Sequence, residues 1–179
     1  AENTAINQVE FKDKNQIAGF VEVNEAHPFF FDHALDHVPG TLIIESVTQL
    51  LGRLLKSIDP DNQALHPVIN DFSISFRRWI EKDEAIEVAL KLTDGSPNQL
   101  NFSGLISQGD ALAGDLFVGV EYQPKAEIND LMTRPKVVED QALLHKQKID
   151  NVLLQPIKHQ VGNHYECLLA MPAKDHMFS

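Results

Sequence analysis

The chain predicts an α+β domain in which an antiparallel sheet wraps one long, buried helix. Two observations carry this. From Leu42 to Ile58, apolar residues recur at helical spacing (Ile43, Val47, Leu50, Leu51, Leu54, Ile58), and Leu42, Ile44 and Leu55 widen the stripe. After residue 70 the period changes to two, and four segments of alternating residues follow at regular spacing, divided by turn signals. A helix apolar over so wide an arc needs cover on most sides, and a meander of strands supplies it.

The elements follow in order. "IAGFVEVNEA" (17–26) is rich in β-formers and reads as a strand. Pro39-Gly40 punctuates the chain, and Thr41 suits the helix N-cap. "SIDPDN" (57–62) ends the helix with Asp-Pro and Asp-Asn turn signals. In "DFSISF" (71–76), Phe72, Ile74 and Phe76 alternate against Ser73, Ser75 and Arg77. "AIEVALKL" (85–92) alternates Ile86, Val88, Leu90 and Leu92. After the turn "DGSPN" (94–98), "QLNFSGLIS" places Leu100, Phe102 and Ile106 on one face. "ALAGDLFVGVEY" (111–122) does the same with Leu112, Leu116, Val118, Val120 and Tyr122. Few folds sheathe a single central helix in a meander, and the hot-dog fold matches this order over 1–123.

Residues 124–142 are polar with two prolines and read as a linker. Residues 143–179 read as a partial second repeat, with strands but no helix. Laid over 13–30, residues 162–179 repeat the layout of polar turn, apolar strand, polar break and His-x-Phe, with His176 on His27 and Phe178 on Phe29. A remnant of that kind builds no core of its own, so its strand must pair with an existing sheet or a partner's.

Composition narrows the function. The chain has 179 residues, enough for one domain and an appendage. With 26 acidic against 15 basic residues, its net charge is −11. That excludes nucleic acid and anionic membranes as sequence-independent partners, since both require a basic surface. The longest apolar run, Leu42 to Leu55, is broken by Glu45, Gln49 and Arg53, and is too short and polar to span a bilayer. Cys167 is the only cysteine, so no intrachain disulfide forms, and no basic-then-apolar leader is visible; a cytoplasmic location is expected. There is no Gly-rich phosphate loop, nucleotide fingerprint or Cys/His nucleophile pair, and no cofactor is expected.

The chemistry concentrates in "HPFFFDHALDHVPGTLIIESVTQL" (27–50). Glu45 is the one carboxylate in the apolar helix, near its N-terminus. The helix dipole favours its charged form, while Leu42, Ile43, Ile44 and Val47 disfavour it by desolvation. If desolvation wins, Glu45 is a general acid or base; otherwise it is a carboxylate at an exposed edge, capping or paired with a lysine. His33 and His37 are the candidate bases beside it. Asp32 and Asp36 each precede a histidine and are expected to tie the loop through backbone N–H groups. His27, His33 and His37 have the chemistry of zinc ligands, but the His33-x-x-x-His37 pair runs into Pro39-Gly40 rather than along a helix, so no metal is expected.

The stretch His27-Pro28-Phe29-Phe30-Phe31-Asp32-His33, then Asp36-His37-Val38-Pro39-Gly40, then Glu45, resembles the A-factor biosynthesis hot-dog domain family. "FSISFRRWIEKDEAIEVAL" looks like that family's next strand pair, and "HKQKIDNVLL" (145–154) like the lead-in to a second repeat. The resemblance implies a γ-butyrolactone-type enzyme that transfers a β-ketoacyl group from acyl carrier protein to dihydroxyacetone phosphate. It implies a homodimer with sites between protomers. More distantly, the stretch is similar to β-hydroxyacyl-carrier-protein dehydratases. Their motif places His33 at the catalytic histidine and Glu45 at the catalytic glutamate, with Gln49 as the family's glutamine.

On that resemblance the site comprises His33, Glu45 and, in competition with His33, His37. Substrate is expected to meet Gly40, Thr41, Thr48 and Gln49, and Phe30 and Phe31 to line an acyl tunnel or else plain core. The partner is an acyl carrier protein or acyl-CoA thioester. One departure stands out: butyrolactone-type members usually have arginine where this chain has Thr48, and an arginine fork suits a phosphate. Arg53, Arg77 and Arg78 are the candidate replacements. The competing expectations are a dehydratase or isomerase of β-hydroxyacyl thioesters, and a non-catalytic remnant that binds acyl groups or dimerises.

Overall fold

The computed structural model describes residues 4–60 and 65–124, and the backbone of two short strands at 159–161 and 164–166. The chain divides into two compact units, 1–25 with 35–125 and 26–34 with 126–179. In the first, β1 (Ile6–Asp13) and β2 (Gln16–Val21) precede α1 (Gly40–Ile58), and β3 (Leu65–Phe76), β4 (Ile86–Ser96), β5 (Gln99–Gln108) and β6 (Ala111–Pro124) follow it. The strands form one antiparallel sheet in the order β1-β2-β4-β5-β6-β3. Helix α1 packs on β1, β2 and β4. Leu42, Ile43, Val47, Leu50, Leu51 and Leu54 are buried on the helix. Ile17, Ile86, Val88, Leu90, Phe102, Ile106, Val118 and Val120 are buried on the strands. This is the hot-dog arrangement.

The four strands after the helix come in the expected order, with departures; β3 begins at Leu65, well before the alternating stretch at 71–76. Leu112 is exposed although it shares parity with Leu116, because the β5–β6 register shifts between Ile106 and Ser107 and turns the strand over. Phe76, at the end of β3, has run past the core and is 48% exposed. Asp94, Gly95 and Ser96 extend β4, so the turn is confined to Pro97 and Asn98. Strand β1 was not expected at all. It is bulged, with Gln8 at φ 46° and a register shift between Asn7 and Glu10, so no clean alternation marks it.

Two expectations for α1 are corrected. Pro39, in extended conformation, is the N-cap, and Thr41 lies within the first turn and makes no cap. Ile44 is 44% exposed and does not widen the buried stripe; it shares the outer face with Thr41 and Thr48. One helix face is therefore open to solvent among the described residues.

Gln108 is 1% exposed and closes the fold at the start of β4. Its Nε2 donates to the carbonyls of Glu81 and Glu84 at 2.7 and 3.2 Å, and its Oε1 accepts the Glu81 N–H at 3.0 Å. Gln108→Leu should cost about 1–3 kcal/mol by stranding these backbone groups; chemical denaturation checks it, and an unchanged midpoint would show that water replaces the amide.

In the second unit, β7 (His159–Val161) and β8 (His164–Glu166) form an antiparallel hairpin. The linker beyond residue 124 and the rest of the expected second repeat lie outside the described residues.

Candidate functional site

Glu45 stands just over one turn into α1, half-buried on the margin of the helix's apolar stripe. Burial pushes its carboxyl up from the ordinary value of 4.5, and a hydrogen bond from Gln49 partly offsets this. That bond runs from Gln49 Nε2 to Glu45 Oε1 at 2.8 Å. Gln49 Oε1 in turn accepts the backbone N–H of Ala5 at 3.0 Å. Desolvation therefore outweighs the Gln49 hydrogen bond, and the carboxyl holds its proton to higher pH than a free glutamate does.

A consequence for stability follows. With its folded pKa raised, ionised Glu45 is the form the fold disfavours. The penalty is absent below the ordinary value and complete above the folded one. Relative to Glu45→Gln, which does not titrate, the wild type should gain stability as pH falls from the folded pKa towards 4.5. Thermal melts of both proteins across that range test this, and a constant difference would contradict it.

Among the described residues, no side chain caps the start of α1. Pro39 offers no side-chain cap, and the first turn holds no acidic residue. The Leu42 N–H turns back to the Pro39 carbonyl at 2.9 Å. Beside it, a Cβ on Gly40 would sit 3.6 Å from the exposed Phe76 ring. The chain enters the helix through residues 35–38, pinned by the Val38 N–H on the Ile80 carbonyl at 3.0 Å and by Lys82 Nζ on the Leu35 carbonyl at 2.8 Å. His37 Nδ1 meets Asp36 Oδ1 at 2.7 Å, and its ring lies against Trp79, centroids 4.1 Å apart. That bond to His37 holds the Asp36 carboxyl below its usual range. His37 is thus engaged by its neighbours, while Trp79 remains 55% exposed.

Residues 26–34 belong to the other unit, and His33 is described within it. The turn closes through the Phe31 N–H on the His27 carbonyl at 3.0 Å. His27 Nδ1 accepts the N–H groups of Phe29 and Phe30 at 3.3 and 3.4 Å, so His27 organises the turn. Phe30 is buried, stacked at a tilt with His27 and edge-on to Phe29; Phe31 is half-buried. His33 Nδ1 meets Asp32 Oδ1 at 2.7 Å, with the Asp32 side chain only 2% exposed and that of His33 47%. Both aspartates pair with the following histidine, which the sequence had not suggested, and the Asp36 carboxyl also takes the backbone N–H bond that it had suggested. With Nδ1–H on a carboxylate, His33 keeps Nε2 as the atom that takes or gives a proton.

The remaining candidates sort as follows. The Thr48 hydroxyl donates to the Ile44 carbonyl of its own helix at 2.9 Å, on the exposed face. Arg77 pairs with Asp115 at 2.7 Å, and Arg53 and Arg78 are exposed. Among the described residues no group of three or more histidine, cysteine or acidic side chains is set to hold a metal ion. No helix there is long and apolar enough to cross a membrane. A depression of about 390 Å³ lies over Ala89, Lys91, Ser103, Leu105 and Asp115. Another of about 360 Å³ is lined by Glu25, Asp36, Glu81, Lys82 and Asp83. Glu45 lines neither. Sequence reasoning missed the Ala5–Gln49–Glu45 chain and the Asp–His pairs; the doubled Asp-His spelling was the only signal for the latter.

Comparison with known proteins places the chain. The A-factor biosynthesis hotdog domain profile matches residues 1–119. A 2-oxo-3-(phosphooxy)propyl 3-oxoalkanoate synthase from Streptomyces virginiae is 31% identical over 87 residues, which are 47% of this chain and 27% of that protein. The chain therefore matches about a quarter of that relative's length. A dehydratase heterocomplex from Xenorhabdus doucetiae superposes with a TM-score of 0.58 at 17% identity, covering 75% of this chain and 92% of that one. A mutant thioesterase from Pseudomonas aeruginosa gives 0.55 at 11% identity, covering 66% and 81%. These structural likenesses establish the hot-dog fold, and the profile match over most of the first unit establishes the lineage: the chain belongs to the A-factor biosynthesis hotdog domain family.

Proposed function

We propose that the protein acts on acyl thioesters, transferring an acyl group from acyl carrier protein or coenzyme A to a hydroxyl acceptor in γ-butyrolactone-type biosynthesis. The observation that carries this is Glu45, a half-buried carboxyl with a raised pKa beside the uncapped start of α1. The sequence similarity to a synthase of 2-oxo-3-(phosphooxy)propyl esters supports the reaction class.

The steps balance without a cofactor. A base, His33 held by Asp32, takes the proton of the acceptor hydroxyl as its oxygen attacks the thioester carbonyl. The Gly40 and Thr41 N–H groups polarise that carbonyl and stabilise the oxyanion. The C–S bond breaks, and the departing thiolate takes a proton from Glu45; His33 and Glu45 each return to their starting states by proton exchange with solvent. His37 is the alternative base. Gln49 orients Glu45, Thr48 borders the acceptor, and Phe30 and Phe31 meet the acyl chain. A homodimer and a cytoplasmic location complete the reading.

Asp32→Asn should lower kcat by about ten- to a hundredfold if His33 is the base, with KM little changed, since the amide leaves the ring in the wrong tautomer. Steady-state rates on a loaded carrier protein decide this, and an undiminished kcat would hand the role to His37.

One observation favours a second reading. Thr48 stands where an arginine would bind phosphate, and its hydroxyl is spent on its own helix. Dehydration or isomerisation of a β-hydroxyacyl chain needs no phosphate-bearing acceptor. A remnant that only binds acyl groups or dimerises needs none either. Intact-mass spectrometry of a β-ketoacyl carrier protein, with and without dihydroxyacetone phosphate, separates these. Acyl loss only with the acceptor supports transfer, and loss without it indicates a thioesterase. An unchanged mass sinks the transferase; a β-hydroxyacyl chain that then loses the mass of one water makes the protein a dehydratase.

A further inference from the structure

The carboxyl of Glu45 is held from a point far away in sequence. An amide side chain looks much the same either way round, but here its orientation is decided. The Ala5 backbone N–H can only donate, and it reaches Gln49 Oε1 at 3.0 Å. Gln49 Nε2 is therefore the atom facing Glu45, and it donates to Oε1 at 2.8 Å. Ala5 is itself fixed. It is 1% exposed, and its carbonyl accepts the Ser46 hydroxyl at 2.8 Å and the Glu22 N–H at 2.9 Å. Ser46, fully buried on α1, also reaches the Leu42 carbonyl at 2.8 Å. The stretch entering β1 is thereby locked to the turn of α1 that carries Glu45 and Gln49.

We infer that Gln49 is the positioning residue of Glu45, that the Ala5 N–H sets the orientation of Gln49, and that Glu45 Oε2 is the oxygen that exchanges the proton with substrate. The inference rests on the acid/base reading of Glu45 given above. An oxygen that already accepts an N–H bond is a poor seat for the acid proton, which therefore resides on Oε2. The same donation favours the ionised carboxylate and so opposes burial. Burial raises that pKa and the Gln49 amide lowers it. Gln49 thus tunes the acid as well as aiming it.

The test removes the donor in two independent ways. Gln49→Met keeps the length and apolar stem but cannot donate; Ala5→Pro keeps Gln49 and deletes the N–H that orients it. The Glu45 carboxyl is followed by ¹³C NMR titration, assigned by its loss in Glu45→Gln, and kcat and KM are measured across the same pH range. In Gln49→Met the Glu45 midpoint should rise by about half to one pH unit. Its kcat should fall roughly ten- to a hundredfold with KM within about twofold. Ala5→Pro should move the midpoint in the same direction; if it fails to fold, Gln49→Met alone decides. A merely structural Gln49 would lower stability without moving the midpoint, and an unmoved midpoint in Gln49→Met overturns the inference. The two readings fail separately. Glu45→Gln with wild-type rates removes the acid/base reading and the inference with it. An inactive Glu45→Gln beside an unshifted Gln49→Met removes only the inference.

Discussion

Glu45→Gln should lower kcat on the acyl thioester by about 10²–10⁴-fold, the range lost when a positioned acid or base is removed. The substitution is nearly isosteric and leaves Gln49 and the apolar neighbours Leu42, Ile43 and Val47 in place, so the fold should survive intact. Stability above neutral pH should be equal to or slightly greater than that of the wild type, because the disfavoured ionised form is gone. The combination matters more than either result alone. An exposed helix carboxylate paired with a lysine would show the reverse: unchanged turnover and a small loss of stability. Purified Glu45→Gln, assayed on a loaded carrier protein beside a thermal melt, distinguishes the two. Retained turnover would remove Glu45 from the chemistry.

The largest loss of stability should come from Leu54→Ala. Leu54 is fully buried on the inner face of α1, and the helix is the element around which the sheet closes. Truncation there should cost about 2–5 kcal/mol, the transfer term plus the cavity left behind, and lower Tm by roughly 10 °C. Ile44→Ala is the internal control. The same helix and an aliphatic side chain of the same size are involved, but Ile44 is 44% exposed, and its loss should stay within about 0.5 kcal/mol. Equal losses at the two positions would mean that the outer face of α1 is covered in solution.

That contrast locates what the sequence could and could not convey. The inner stripe of Ile43, Val47, Leu50 and Leu54 was legible because burial repeats at the helical period. Glu45 stood out because it interrupts that stripe. Ile44 was misread because hydrophobicity alone does not place a residue on a face; its neighbours one turn away, Thr41 and Thr48, carried the correct signal. Strands β3 to β6 were legible from alternation, and β1 was not, because the backbone at Gln8 breaks the period. Leu112 failed for a related reason, since a register shift inverts parity without leaving a mark in composition. The site divides in the same way. Residue types drew the eye to Glu45 and its neighbouring histidines, but it was the family resemblance that singled out His33, His37 and Glu45 as the candidate site. The Ala5–Gln49 bond joins positions 44 residues apart, and no single sequence encodes such a pairing visibly. The Asp32–His33 and Asp36–His37 bonds join adjacent residues, where neither helical nor strand periodicity applies.

The measurement that bears most directly on the central claim is a crystal structure with a non-hydrolysable β-ketoacyl pantetheine analogue bound. The account predicts its carbonyl oxygen against the Gly40 and Thr41 N–H groups and its reacting carbon within reach of Glu45. An analogue ordered elsewhere, such as over Ala89, Ser103 and Leu105, with the start of α1 left untouched, would contradict it.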